Sequence, residues 1–232
     1  MYKLAIFDFD GTLVDSAPGI IEIMKKVGIE YNLNNNIIDH WSTLIGVPLD
    51  QQARLILPGE HPALHSQLVD RYRVLYNLQN IELCPPFPGL LGMLKTLRER
   101  GIITTIASSK RKEIIQPILD HHDLNHYFDM VLGAGEVSQH KPSPEAVHHT
   151  LQKHRMQNHE AVVIGDSIFD LEMARNAGVD SIGVTTGVHK EHELREANPV
   201  SVVGSLDDVL KIVLTGRKQP IVSDVREARE AS

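Results

Sequence analysis

Short apolar runs and longer segments of helical spacing alternate along the chain. The first run, Tyr2–Phe7, is short and bulky, which predicts a buried β-strand. Similar runs predict five further strands, at residues 102–107, 130–134, 161–164, 181–184 and 200–203. Pro117 is expected to kink or shorten the helix that begins near Lys112. Strands that alternate with helices predict an α/β fold, in which a parallel, doubly wound sheet lies between two layers of helices.

The segment of residues 15–83 differs from the rest, because its pattern is helical and strand-poor. Its first helix is expected to have Asp15 as its cap and to stop at Gly28. A proline cluster, Cys84–Gly89, follows and is typical of a stiff hinge. We therefore predict a three-layer Rossmann-like core of residues 1–14 and 84–214, an inserted all-α domain of residues 15–83, and a polar tail of residues 215–232.

Composition narrows the classes of partner. The chain has 232 residues, of which 42% are hydrophobic and 23% charged, as is ordinary for a globular protein. Its net charge of -7 argues against a nucleic-acid or membrane-surface partner, and no apolar stretch approaches the roughly 18 residues of a membrane span. The one cysteine, Cys84, excludes an internal disulfide and is interpreted as unreactive, which fits a reducing cytoplasm. The oligomeric state stays open between monomer and dimer.

The 13 histidines raise the question of a metal site. His61 with His65, and His122 with His126, have the i,i+4 spacing that places two side chains on one helix face. No cysteine joins these pairs, and no glutamate completes an H-E-x-x-H pattern. The sequence therefore disfavours a histidine metal site.

Polar side chains follow four of the predicted strands. They are, in strand order, Asp8 and Asp10, then Ser108, then Lys141, then Asp166 with Asp170. Because the carboxyl ends of parallel strands meet at one edge of the sheet, these side chains are expected to converge. Neighbouring carboxylates repel each other unless a cation or a shared proton relieves them. Each residue alone also fits a simpler structural role, as part of an Asp-Gly turn, a helix cap or a solvated lysine.

The segment Asp8-Phe9-Asp10-Gly11-Thr12, directly after an N-terminal apolar strand, resembles the first motif of the haloacid dehalogenase-like phosphohydrolases. The later strand ends match the other three motifs in order and type. The resemblance implies a phosphatase that uses Mg²⁺, held by Asp8, Asp166 and the backbone carbonyl of Asp10. It further implies that Asp8 is the nucleophile that carries an aspartyl-phosphate, and that Asp10 is the general acid and base.

The same resemblance implies roles for the remaining strand-end residues. Ser108 and the backbone amides beside Ser109 would hold the transferring phosphoryl oxygens. Lys141 would stabilise negative charge in the transition state. Asp170 would orient Lys141 or the waters around the metal.

The chain looks most like the phosphoglycolate phosphatase-like branch, whose members act on small phosphorylated metabolites. These members carry a helical cap at the position of the inserted domain. Ile45–Pro48 and Arg54 match in position a cap segment that sorts substrates, which implies specificity roles for Gly46 and Arg54. A surface arginine on an amphipathic helix explains Arg54 equally well. Open alternatives are an inorganic pyrophosphatase, a sugar phosphomutase, which the non-acidic Gly165 disfavours, and a non-catalytic metabolite-binding regulator.

Overall fold

Six parallel strands form the centre of the protein. The structure is a computed structural model, and it describes residues 1–45 and 47–216. The strands are β1 (Leu4–Phe7), β2 (Ile103–Ala107), β3 (Met130–Leu132), β4 (Ala161–Gly165), β5 (Asp180–Val184) and β6 (Ser201–Val203). Their order across the sheet is β3-β2-β1-β4-β5-β6, and each neighbouring pair is parallel. All six strands predicted from the apolar runs are therefore confirmed.

Ten α-helices connect and flank these strands within the described residues. They are α1 (Ala17–Glu30), α2 (Asn35–Ser42), α3 (Leu49–Ile56), α4 (Pro62–Gln79), α5 (Leu90–Glu99), α6 (Lys112–His121), α7 (Glu145–His154), α8 (Ile168–Ala177), α9 (Glu191–Glu196) and α10 (Leu206–Thr215). Short 3₁₀ turns lie at Asn125–Tyr127 and Asn158–Glu160. In the described parts of the chain, no helix is long and apolar enough to cross a membrane.

The sheet is buried on both faces, which explains why its central strand β1 is apolar at every position. On β1, Ala5 and Phe7 pack with α5, α6 and α10, while Leu4 and Ile6 point to the opposite face and pack with α7 and α8. All four side chains are fully buried, and burial of one as large as Phe7 contributes about 1.5–3 kcal/mol. The predicted three-layer Rossmann-like core is confirmed.

The strand order reverses between β1 and β4, which lie side by side at the centre of the sheet. Connections leave these two strands in opposite directions, so a crevice opens at their carboxyl ends, where ligands bind in open α/β sheets. Asp8 follows β1 and Asp166 follows β4. The topology thus brings the two predicted metal ligands to this crevice.

Helices α1–α4 occupy residues 17–79 between β1 and α5, and we call this segment the helical insertion. Its two connections to the core pair with each other. The Asp15 amide donates to the Pro85 carbonyl at 2.8 Å, and the Phe87 amide donates to the Leu13 carbonyl at 3.0 Å. The division of the chain into a core and a separate cap domain stays a prediction.

Two local expectations about α1 are wrong. Helix α1 continues through Gly28 to Glu30, because this glycine lets α2 approach so closely that a Cβ atom there would lie 2.6 Å from the Ile38 side chain. The cap of α1 is Ser16 and not Asp15. Pro117 lies inside α6 without ending it, and the predicted kink at this residue stays a prediction. Of the predicted tail, only residues 215 and 216 are described, and residues 217–232 lie outside the described part of the chain.

Candidate active site

The loop after β1 makes a tight turn that presents Asp8 at the crevice. The Asp8 amide donates to the Ile164 carbonyl on β4 at 2.8 Å, so the hydrogen bonding of the sheet extends to the first residue of the loop. Gly11 has a φ of 73°, a left-handed conformation that glycine adopts without strain. A Cβ atom at Gly11 would also lie 2.6 Å from Asp166 Oδ2. The Asp-Gly pair of the motif is therefore required both by the turn and by the close approach of Asp166.

Three carboxylates meet at this edge of the sheet. Ligand oxygens of Asp8, Asp166 and Asp170 lie within 4.8 Å of one another, and within the described ranges they form the only group of three or more residues suited to hold a metal ion. Lys141 Nζ donates to Asp8 Oδ1 at 2.6 Å and to Asp170 Oδ1 at 2.5 Å. The Lys141 side chain is 9% exposed and that of Asp8 is 12% exposed. Three carboxylates thus face one buried ammonium group.

Burial and mutual repulsion destabilise the charged forms of these acids. The pKa of Asp8 is raised to about 6, because burial, followed by Asp170, raises it by more than Lys141 lowers it. The pKa of Asp166 is raised well above its usual range by burial and then by its neighbours Asp8 and Asp170. Lys141 remains charged, since Asp170 and Asp8 raise its pKa despite the opposing effect of burial. A divalent cation would relieve this excess of negative charge, so the hard oxygen donors fit a metal such as Mg²⁺.

Asp170 differs from the other two acids because its carboxylate both pairs with Lys141 and helps to cap α8. Its Oδ1 pairs with Lys141, and its Oδ2 accepts a hydrogen bond from the Ser167 amide at 3.1 Å. Ser167 and Asp170 form the capping box at the start of α8, which fixes the Asp170 side chain. The geometry agrees with the expectation that Asp170 orients Lys141.

Asp166 is held by the loop after β1 and by the loop after β5, and neither contact was predicted from the sequence. Its Oδ1 accepts from the Thr12 hydroxyl at 3.2 Å, and its Oδ2 accepts from the Val188 amide at 2.9 Å. The loop after β5 also contacts the first loop, because the Thr186 hydroxyl donates to the Gly11 carbonyl at 2.6 Å. A Cβ atom on Gly187 would clash with the Asp166 carboxylate. The only sequence signal for this loop was its position after a fifth parallel strand.

Asp10 points to a second lysine, which sequence analysis also missed. Lys110 Nζ donates to Asp10 Oδ1 at 2.6 Å and to the Tyr76 hydroxyl on α4 at 2.5 Å. Lys110 is two residues beyond Ser108, at the end of β2, so the convergence of strand ends could have identified it. Asp10 is thereby linked, through Lys110, to a side chain of the helical insertion.

The three predicted phosphate-binding residues, Ser108, Ser109 and Lys141, line one small cleft together with Gly133 and His140. The Ser108 hydroxyl oxygen accepts a hydrogen bond from the Lys110 amide at 3.2 Å, which fixes the loop after β2. The structure therefore brings these residues to the same edge as Asp8. Their contact with a phosphoryl group stays a prediction.

The structure leaves the roles of the two predicted specificity residues untested. Arg54 is exposed in the last turn of α3, and Gly46 lies outside the described residues. Their role in substrate choice therefore stays a prediction. Gln52 on the same helix is buried and fixes the neighbouring segment, since its side chain accepts from the Trp41 indole at 2.8 Å and donates to the Val47 carbonyl at 2.7 Å.

In the first of the two histidine pairs at i,i+4 spacing, both side chains have backbone partners. His61 Nδ1 accepts from the Ala63 amide, and His65 Nε2 lies 2.8 Å from the Leu57 carbonyl. Cys84 is fully buried, and burial raises the pKa of its thiol, which supports its interpretation as unreactive.

Comparisons with known proteins agree with this geometry. The family model for haloacid dehalogenase-like hydrolases matches residues 5–184. The chain is 30% identical over 220 residues to a phosphoglycolate phosphatase of Vibrio vulnificus, a match that covers 91% of this chain and 96% of that protein.

Solved structures show the same fold. A predicted phosphatase from Clostridium acetobutylicum is 25% identical, with a TM-score of 0.81 over 92% of this chain and 99% of that one. A haloacid dehalogenase-like family hydrolase from Streptococcus pneumoniae is 25% identical, with a TM-score of 0.77 over 90% of this chain and 97% of that one. The chain therefore belongs to the haloacid dehalogenase-like hydrolase family, in its phosphoglycolate phosphatase-like branch, and is an enzyme of the phosphatase type.

Proposed function

We propose that this protein is a Mg²⁺-dependent phosphatase that hydrolyses a small phosphomonoester through an aspartyl-phosphate on Asp8. The observation that carries the proposal is the buried group of Asp8, Asp166, Asp170 and Lys141 at the crevice of the sheet. An anionic carboxylate approaches a phosphate dianion only when positive charge is present beside it. Lys141 supplies one positive charge. Because the carboxylates outnumber it, the site requires a further positive charge, which a divalent metal ion would supply.

Asp8, Asp166 and the backbone carbonyl of Asp10 would hold the metal ion. Their donor atoms are all oxygens, which is the preference of Mg²⁺, and the family generally uses a divalent metal. When bound, Mg²⁺ neutralises charge on the acids and polarises the phosphoryl oxygens. Thr12 and the Val188 amide would keep the Asp166 carboxylate in its orientation.

The side chains of the core would perform the phosphoryl transfer. Asp8 would attack phosphorus from a position fixed by Lys141, which in turn is fixed by Asp170. Lys141 would also stabilise the charge that spreads over the phosphoryl oxygens, assisted by the hydroxyl and amides of Ser108 and Ser109.

Asp10 would serve both halves of the reaction. It would first donate a proton to the departing alkoxide and then accept one from the water that hydrolyses the aspartyl-phosphate. Asp10 lies two residues after Asp8, on the same tight loop, and its side chain is about one-fifth exposed, which leaves it accessible to a leaving group. This second acid favours rapid hydrolysis over a long-lived phosphoenzyme.

We infer that the substrate is a small phosphorylated metabolite related to 2-phosphoglycolate, because several relatives are named as phosphoglycolate phosphatases. The helical insertion would act as a cap that excludes water and sorts substrates, with Gly46 and Arg54 as specificity residues. A pyrophosphatase and a sugar phosphomutase remain the alternatives on the same scaffold. Cytoplasmic location, like the absence of nucleic-acid and membrane partners, stays a prediction.

A panel assay of inorganic phosphate release tests this proposal. It compares 2-phosphoglycolate, pyrophosphate, a hexose phosphate and 4-nitrophenyl phosphate, with Mg²⁺ and with EDTA, in wild type and Asp8→Asn. We expect Mg²⁺-dependent release from phosphomonoesters, the highest kcat/KM for 2-phosphoglycolate or a close relative, and a loss of several orders of magnitude in Asp8→Asn. Preference for pyrophosphate, isomerisation of the hexose phosphate without release, or full activity in EDTA would each contradict it.

A further inference from the structure

A buried chain of polar side chains joins the proposed general acid to the helical insertion. It consists of Asp10 and Lys110 on the core, Tyr76 on α4 and Cys84 on the connection back to the core, and we call these four residues the buried polar chain. The Tyr76 hydroxyl lies 2.9 Å from Cys84 Sγ, and Lys110 Nζ lies 4.0 Å from the same sulfur. The proposed mechanism uses Asp10 alone, so the other three residues need an explanation.

The directions of these hydrogen bonds follow from the chemistry of the groups. A lysine ammonium group only donates, so the Tyr76 oxygen and Asp10 Oδ1 both accept from Lys110. The tyrosine proton is then available to the Cys84 sulfur, which is a weak acceptor. Lys110 therefore donates hydrogen bonds both to Asp10 in the core and to Tyr76 in the helical insertion.

Packing holds the Lys110 ammonium group where these bonds place it. Its Nζ lies 4.7 Å from the centre of the Tyr76 ring and 5.6 Å from that of Phe9, within the range of cation–π attraction. The Lys110 side chain is 11% exposed. Although burial opposes the charged form, Asp10 and Cys84 raise the pKa of Lys110, so the group stays cationic. A long, flexible lysine is thus fixed by partners on both sides.

We propose that Lys110 and Tyr76 are positioning residues that tie the placement of the Asp10 carboxyl group to the position of the helical insertion. Lys110 fixes the carboxyl group directly, and Tyr76 acts through Lys110. The inference rests on the proposed role of Asp10 as general acid and base. Its consequence is that Asp10 is aligned for proton transfer only when α4 lies where the structure places it.

The test separates reaction steps that need Asp10 from those that do not. 4-Nitrophenolate leaves as a stable anion, so formation of the aspartyl-phosphate from 4-nitrophenyl phosphate needs no proton from Asp10. Glycerol 2-phosphate and 2-phosphoglycolate have alkoxide leaving groups that need one. For each substrate, kcat/KM reports the formation step, while kcat for the aryl ester also includes hydrolysis, which again needs Asp10.

We would compare Tyr76→Phe, Lys110→Met and Lys110→Arg with wild type on all three substrates. Tyr72→Phe is the matched control, because Tyr72 stacks on Tyr76 with ring centres 5.7 Å apart but is not part of the buried polar chain. For Tyr76→Phe and Lys110→Met we expect kcat/KM to fall at least about tenfold for both alkyl esters, as for loss of one hydrogen bond to a charged group. For the aryl ester we expect kcat/KM within about twofold of wild type, a lower kcat, and a pre-steady-state burst of nitrophenolate.

Lys110→Arg should recover part of the loss, and Tyr72→Phe should behave as wild type on every substrate. An equal fall of kcat/KM for alkyl and aryl esters would show a general structural defect and overturn the inference. A loss confined to 2-phosphoglycolate would also overturn it, because Lys110 would then bind the substrate carboxylate. If Tyr76→Phe showed no loss on any substrate, the claim that the helical insertion affects the placement of Asp10 would be overturned.

Asp10→Asn distinguishes failure of this inference from failure of the proposed function. If Asp10→Asn shows the loss specific to alkyl esters and Tyr76→Phe and Lys110→Met do not, only the positioning inference is wrong. If Asp10→Asn itself lowers alkyl and aryl kcat/KM equally, the role of Asp10 as general acid is wrong, and the positioning inference is overturned with it.

Discussion

Removal of divalent metal should make the folding stability of this protein depend on pH through Asp8. In the metal-free protein, burial raises the pKa of Asp8 from an ordinary 3.8 to about 6. The folded state therefore holds this proton more tightly than the unfolded state does, so the contribution to stability is present below about pH 4 and is lost as the pH rises through 6. The difference between the two pKa values corresponds to about 3 kcal/mol of unfolding free energy.

Other ionisable groups titrate in the same range, so the measurement needs a matched variant. Glu145, Glu160 and Asp208, whose pKa values are lowered, contribute stability in the opposite direction. These contributions cancel when the pH dependence of Asp8→Asn is subtracted from that of wild type. Asp166 adds to the difference with the same sign, because removal of the charge on Asp8 takes away one cause of its raised pKa.

Urea denaturation in EDTA at several pH values between 4.5 and 7.5 would measure this effect. Wild type should lose at least about 2 kcal/mol more stability than Asp8→Asn across this range, because part of the Asp8 contribution is already lost at pH 4.5. Addition of Mg²⁺ should restore about 3 kcal/mol to wild type near pH 7.5 at a hundredfold excess over its dissociation constant, and less near pH 5, where protons compete for the carboxylates. If the unfolding free energies of the two proteins depended equally on pH in EDTA, the claim that burial raises the pKa of Asp8 in the metal-free protein would be wrong.

Three further outcomes follow from individual residues. Gly187→Ala should raise the Mg²⁺ concentration needed for half-maximal activity, because the added methyl group displaces Asp166, whereas Gly92→Ala, where a Cβ atom has open space, should not. Arg54→Ala should lower kcat/KM for 2-phosphoglycolate by more than for 4-nitrophenyl phosphate if the arginine meets a substrate anion, and an unchanged ratio of the two values would remove Arg54 from the specificity site. Cys84 should react with a thiol reagent at neutral pH only at the rate of unfolding, since it is buried and its pKa is raised; rapid labelling of the native protein would contradict this.

The site residues that come directly after a strand were predictable from the sequence, because the strand determines where they lie. Asp8 and Asp166 each follow an apolar run, and the alternation of strands with helices places both at one edge of a parallel sheet. The sequence also predicts the position of the helical insertion, because its pattern changes between two recognisable strands. For these features, local pattern and topology give the same answer.

Features that depend on packing between distant segments were not predictable in the same way. Gly28 looks like a helix stop, yet it lies inside α1 because Ile38 packs against it. Lys110 looks like a solvated lysine, and its pairing with Tyr76 depends on how α4 lies over the loop after β2. Val188 holds Asp166 through a backbone amide, which leaves no signature in side-chain type.

The central claim is that Asp8 becomes covalently phosphorylated. The most direct test is an acid quench of the Asp10→Asn variant during turnover of ³²P-labelled 4-nitrophenyl phosphate with Mg²⁺, because this aryl ester needs no proton from Asp10; borohydride reduction of the acyl phosphate and peptide mass spectrometry follow. We expect labelled protein and, after reduction, homoserine at position 8, with neither product in Asp8→Asn/Asp10→Asn. Phosphate release by wild type with no trapped label in the variant, or homoserine at any other position, would contradict it.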